Sequence, residues 1–284
     1  MCNAANNKFI TLAAAGLLTL GAAVSSCGGG ERSAAEELCQ KAESEVSSGD
    51  FTSAVATLDT LDARYPSQVE VRRSAMKFRA MAVEGLTLKR IQVVDDSLAL
   101  LKSELDGYQN SFAYVENPGK NLGGNYIAKD LKQSKTTGAT SVTPRINDDG
   151  YMTVSVRVDG RKTGIRSIAF GGKSERAESQ SIGADRSVTV EGSEMAVMQQ
   201  EEVAALFDAL ASMTDADRFY IIGDSKTVDG RLSAKEREAM VMTWDYARTM
   251  QAYRQALIER EKLERRLKVA RDQIANLAAA PAEE

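Results

Sequence analysis

The sequence predicts an α+β protein: a helical scaffold with a long C-terminal coiled-coil-like helix and an inserted small antiparallel β-containing domain. Three patterns predict it. Ile91, Val94, Leu98, Leu101, Leu105 and Tyr108 recur at spacings of three and four, which lines one face of a helix. Met242, Tyr246, Thr249, Tyr253, Ala256, Arg260, Leu263, Leu267, Ala270, Ile274 and Leu277 keep the same alternation, the seam spacing of a coiled coil. Between the two, Tyr151 to Val158 alternates with period two, placing Met152, Val154, Val156 and Val158 on one face, as in a half-buried strand.

The chain opens with a polar start bearing one cation, Lys8, then an apolar run from Phe9 to Val24, small residues and Cys27. This is the layout of a secretory signal peptide, and the run is short for a bilayer span. Val24-Ser25-Ser26-Cys27 resembles the lipobox of bacterial lipoproteins. The resemblance implies removal of residues 1–26, acylation of Cys27 and a lipidated tether over 27–32. The first expected partner is therefore the lipid bilayer, since several acyl chains anchor stably where one does not. No tight acidic cluster follows Cys27, because Glu31 is the first acidic residue. The expected location is the cell envelope, lipid-anchored in the outer membrane and facing the periplasm.

Composition narrows the chemistry. The formal charge is −4, and the leader carries only Lys8, so the remainder is slightly more acidic. With no basic block it is a poor match for nucleic acid. The chain has no histidine, which excludes histidine triads, imidazole bases and nearly all ordinary catalytic zinc sites. Neither a dinucleotide fingerprint nor a P-loop occurs. Of three cysteines, Cys2 leaves with the leader and Cys27 takes lipid, so Cys39 has no intramolecular partner and stability comes from packing. No cofactor, and no catalytic, cofactor-binding or metal-ligating residue, is assigned.

Residues 33–110 are expected to form a helical domain. Ser33 opens a largely polar helical stretch to about Val46, Gly49-Asp50 breaks it, and Phe51 to Ala63 resumes with Phe51, Ala54, Val55, Leu58 and Leu61 on one stripe. Tyr65-Pro66 ends it, because a proline pushes the preceding residue out of the α region. Gly49, Phe51, Ala54, Leu58 and Pro66 resemble the second half of a tetratricopeptide repeat. Its first half departs, with Lys41 and Glu45 where apolar residues are usual, and the next stretch does not repeat it. The resemblance implies a helix pair that needs neighbours to be stable.

The inserted domain is expected over 111–231. Its first part, Ser111 to Gly138, offers only Tyr126-Ile127 as strand, and further strands are expected at Ile165–Phe170, Arg186–Glu191 and Arg218–Ile222. A helix with Val203, Leu206, Phe207 and Leu210 on one face spans Gln199–Ser212. The long helix follows at 232–278, with Ser233 and Glu236 as a capping box, and 279–284 is a disordered tail. At 1.5 Å per residue the stretch from Ala234 to Leu277 runs about 66 Å and needs a partner for its stripe. The expected one is 85–108, antiparallel to the N-terminal part of 233–277, with Leu98 facing positions from Met242 to Tyr253. The remainder is left for residues 33–84, a protein partner or self-association.

Several short patterns compete with these readings. Ser74-Ala-Met-Lys77, Tyr108-Gln-Asn110 and Lys162-Thr-Gly164 occur in the order used by serine β-lactamases and penicillin-binding proteins, but Ser74 falls inside a helix. Asp229, Gly230, Leu232, Ser233 and Glu236 resemble the second half of an EF-hand loop, while Ser225 and Thr227 depart from its first half. Both are read as plain structure. The layout of the whole chain resembles envelope lipoproteins of Bacteroidota, a resemblance that supplies no catalytic residues. The expected function is that of a non-catalytic, membrane-anchored scaffold or binding module. The alternative is a glycan-binding protein or hydrolase with its site on 111–231.

Overall fold

The computed structural model describes residues 29–117, 123–133, 140–160, 163–172, 175–190 and 192–279. The segment read as a signal peptide, Cys27, Lys162 and residues 280–284 of the expected tail lie outside these. The chain divides after Ala82 into two compact units.

The first unit holds helix α1 (Gly29–Ser47), helix α2 (Phe51–Arg64) and the start of helix α3 (Val69–Tyr108). α1 begins at Gly29, so residues 29–32, expected as tether, form its first turn. Glu31 lies in that turn, where the helix dipole favours an acid, and Arg32 pairs with Glu36 at 2.9 Å. Gly49 makes the break with φ +79, a conformation glycine adopts without cost. Asp50 then caps α2 by accepting from the Ser53 backbone at 3.2 Å. Ala35 and Ala42 of α1, Leu58 and Leu61 of α2, and Val71 and Ala75 of α3 form one buried cluster. The small alanines let α1 and α2 approach closely, so the stripe read from Ala54 to Leu61 is the buried face.

The second unit contains two antiparallel sheets. The first sheet joins β1 (Phe112–Glu116), β2 (Gly124–Ala128), β3 (Ser141–Asn147), β4 (Met152–Asp159), β8 (Ser193–Gln199) and β7 (Val188–Val190) in that spatial order. The second joins β10 (Thr227–Arg231), β9 (Arg218–Gly223), β5 (Ile165–Gly171) and β6 (Arg176–Glu178). Met152, Val154, Val156 and Val158 are buried as their alternation requires. They meet Val203, Leu206, Phe207 and Leu210 of helix α5 (Gln200–Ser212) in a core that both sheets share with helix α6 (Ala234–Ala279). A short helix α4 (Lys129–Gln133) follows β2.

Five strands depart from the expectation, among them the three-residue β6, which pairs with the end of β5. β1 forms beside β2 although its surroundings are rich in Gly, Asn and Lys, because Phe112 is drawn into the core. β3 carries Pro144, which argues against a central strand. It is tolerated because β2 pairs only with Ile146 and Asn147, leaving nothing on that side for a proline N–H to meet. β8 follows β7 through a tight turn at Gly192, φ +78, and shares its pattern with the start of α5. β10 replaces the turn expected at Asp229-Gly230: Gly230 lies opposite Phe219 in the ladder, and a Cβ there would meet the Phe219 ring at 2.3 Å.

α3 is one helix from Val69, longer than the expected 85–108, and its second half packs on α6. Within 91–108 the residues withdrawn from solvent are the six of the stripe together with Asp95. The pairing is antiparallel but shifted from the expected register. Glu84 pairs with Arg271 at 2.8 Å, Asp95 with Arg260 at 2.5 Å, and Tyr108 stacks near Tyr246 with ring centroids 5.1 Å apart. Leu98 therefore lies opposite the region around Leu257, not Met242 to Tyr253. The physical reason is at the N-terminal end of α6, where Ala239, Met240, Trp244 and Ala247 serve the core of the sheets, so that α3 reaches this part at its end, through its last residue, Tyr108. Cysteines introduced at positions 95 and 260 are expected to be joined by a short bis-maleimide, and a 98/242 pair is not. Peptide mapping checks this, and the reverse result would overturn the register.

Candidate functional site

Three places concentrate polar side chains around a concavity or a buried charge. The first is a groove of about 540 Å³ in the helical unit. Leu58, Leu61 and Ala75 make its buried floor, while Val69 and Met76 stand 63% and 54% exposed at its edge. Arg72, Arg73, Arg79 and Asp62 supply its charge. Arg72 and Arg79 both reach Asp62, at 2.7 and 2.8 Å, and Arg79 also reaches Asp59 at 2.7 Å. These ion pairs hold α2 to α3 and keep the guanidinium groups at the rim. The groove offers apolar contact and cationic edges, and it presents no nucleophile paired with a base.

The second is Glu194, a carboxylate 4% exposed on β8. The backbone N–H groups of Thr163, Gly164 and Ile165 all donate to it, as does the Ser187 hydroxyl. Three successive amides aimed at one carboxylate form an anion nest, here filled by the protein's own side chain. Burial pushes the Glu194 carboxyl up, but the four hydrogen bonds outweigh it and hold the group below the usual carboxylate range. The contact ties β5 of one sheet to β8 of the other.

The third is a pocket of about 300 Å³ among the end of α3, the end of α5 and the first turns of α6. Leu210, Met213, Val241 and Met242 give it apolar walls, and Tyr108, Glu238 and Asp245 give it polar edges. Arg237, also at its rim, donates to the Met213 carbonyl at 2.6 Å. Burial raises the Asp245 carboxyl, with Arg248 opposing and Asp208 reinforcing the rise. Burial also raises the Tyr108 hydroxyl, helped by Asp245 and Glu104.

The competing motifs dissolve in the structure. Ser74 lies on the exposed side of α3 with its hydroxyl donating to the Glu70 carbonyl at 3.2 Å, and Tyr108 belongs to an aromatic cluster with Phe112 and Tyr246. Asp229 pairs with Arg218. Ser233 and Glu236 do form the capping box, with Glu236 N to Ser233 Oγ 3.2 Å and Ser233 N to Glu236 Oε2 2.9 Å. Among the described residues no group of three or more Cys, Asp or Glu side chains is placed to hold a metal ion, and no helix is long and apolar enough to cross a membrane. The groove and the nest were not foreseen. The groove arises between segments on either side of Pro66, and the nest joins residues some thirty positions apart, so no local pattern marks either. No family model matches the chain, and no curated protein or solved structure matches it.

Proposed function

We propose that this protein is a non-catalytic lipoprotein of the cell envelope, acylated at Cys27 and held on the outer membrane facing the periplasm, where it acts as a scaffold or binding module. The leader and the Val24-Ser25-Ser26-Cys27 box support the anchor. The observation that carries the binding role is the groove between α2 and α3. Its apolar floor and exposed Val69 and Met76 suit apolar side chains of a protein partner, and three arginines against one aspartate among its lining residues favour a partner with carboxylates beside them. On this reading α1 and α2 are a single tetratricopeptide-like pair, and the α3–α6 seam is an antiparallel coiled coil serving as a strut. Self-association through the C-terminal helix would use its outer side, where Leu257, Ile258 and Val269 are exposed, since the seam from Tyr246 to Arg271 is turned to α3.

Crosslinking in native membranes followed by co-purification tests this reading. The wild-type chain is expected to carry acyl mass on Cys27 and to recover a defined partner. Cys27→Ser is expected to lose the membrane, and Val69→Asp with Met76→Asp is expected to lose the partner while staying anchored and folded. An unacylated mature chain would overturn the anchor, and recovery of the same partners by the groove variant would overturn the binding role. The alternative, a glycan site on 111–231, has one feature in its favour. The Tyr114 ring is 46% exposed beside Asp148, whose carboxylate accepts from the Tyr114 hydroxyl at 3.1 Å. Loss of glycan retention on Tyr114→Ala would support that reading instead.

A further inference from the structure

The pocket at the end of α3 carries two carboxylates and one guanidinium, that of Arg237, on its lining. Asp245 and Glu238 stand on one side of α6, two turns apart, about 10 Å along the axis, and both line the pocket. Among the described residues neither is joined to a cation within 4 Å. The nearby cations are engaged elsewhere: Arg237 donates to the Met213 carbonyl, and Arg248 reaches Asp208 at 3.4 Å. Asp208 in turn accepts from the Trp244 indole at 2.8 Å. Val241 and Met242 lie between the two carboxylates on the same face of α6, three and four residues from each, and Leu210 and Met213 also line the pocket. An apolar trough with a carboxylate at each end is complementary to a methylene chain with a cation at each end.

We propose that this pocket binds a linear aliphatic diamine, one ammonium at Asp245 beside the Tyr108 ring, the other at Glu238, and the methylenes against Val241 and Met242. The site is independent of the groove and of the anchor. Each ammonium gains a charge-assisted hydrogen bond of about 2.8 Å, and the chain between them removes apolar wall from water. A monoamine satisfies one carboxylate and leaves the other unpaired, so chain length and the second charge both contribute to recognition. Tyr108 acts through its ring, which attracts a cation placed over it.

Titration of the full chain with 1,5-diaminopentane, followed by calorimetry and by amide chemical shifts of α6, tests the assignment. The diamine is expected to saturate the protein at least tenfold more tightly than n-pentylamine, and to weaken as salt is raised. Glu238→Gln, an exposed position where folding is not at risk, is expected to reduce diamine affinity to the monoamine level. Asp245→Asn is expected to weaken both amines about tenfold while its melting temperature stays level or rises, because an unpaired half-buried carboxylate has been removed. Absence of saturable diamine binding would overturn the proposal. So would equal affinity for the two amines, or diamine binding unchanged in Glu238→Gln.

Discussion

Replacing Glu194 by glutamine is expected to cost about 3 kcal/mol, or roughly 10 °C in melting temperature for a unit of this size. The carboxylate offers acceptor oxygens to four donors at once, the amides of Thr163, Gly164 and Ile165 and the Ser187 hydroxyl. An amide keeps one oxygen and turns an N–H₂ group toward backbone donors that then have no acceptor. The site is buried, so water does not repair the loss. The same group sets an acid limit. Because the folded carboxyl is held below its ordinary value, the native state binds its proton more weakly than the unfolded chain. Its contribution is therefore complete above the unfolded value of about 4.3 and is lost as pH falls through the folded value. Urea denaturation between pH 3 and about 6 should show wild type losing stability faster than Glu194→Gln as the medium is acidified. Parallel curves would mean that the nest does not control the titration.

Gly150→Ala is expected to destabilise by about 3 kcal/mol, against about 1 kcal/mol for Gly160→Ala. Gly150 ends the β3–β4 turn and Gly160 directly follows β4, and both have positive φ, +80 and +75, so an added methyl meets the same backbone penalty at each. They differ in surroundings. A Cβ on Gly150 would lie 2.7 Å from Met250 Cβ and 3.1 Å from the Gln251 backbone nitrogen, whereas nothing lies within 4 Å at Gly160. The β3–β4 turn is seated on α6, where the Gln251 amide donates to the Gly150 carbonyl at 3.1 Å and Arg254 pairs with Asp149. Urea midpoints of the two variants separate the clash from the conformational cost. Equal midpoints would show that the seat yields without strain.

Periodic patterns were the legible part. The alternation of Met152 to Val158, the stripe from Val203 to Leu210, and the three-four spacings of α3 and α6 each report the burial of one face, and burial followed them. Strands whose pattern is broken were not legible. β3 contains a proline that only the short reach of β2 makes harmless, and β10 reads as a turn because its glycine is demanded by the neighbouring Phe219 ring. Both reasons sit on another strand. The capping box of Ser233 and Glu236 could be read because its donors and acceptors lie three residues apart, whereas the donors around Glu194 come from two other segments.

By itself, the sequence determined the class of the fold, the presence of a β-containing insertion between two long helices, the faces that the helices bury and the chemistry excluded by the absence of histidine. These depend on residue type and short-range spacing, which a linear chain displays. Tertiary structure alone decided which part of α6 meets α3, how the ten strands among the described residues divide between two sheets, and where the groove, the nest and the diamine pocket lie. The seam spacing on α6 is the same at every turn, so it admits several registers, and only the demand of the sheet core for Trp244 and its neighbours selects among them. Concavities likewise form between segments distant in sequence, where packing and not periodicity sets which side chains meet.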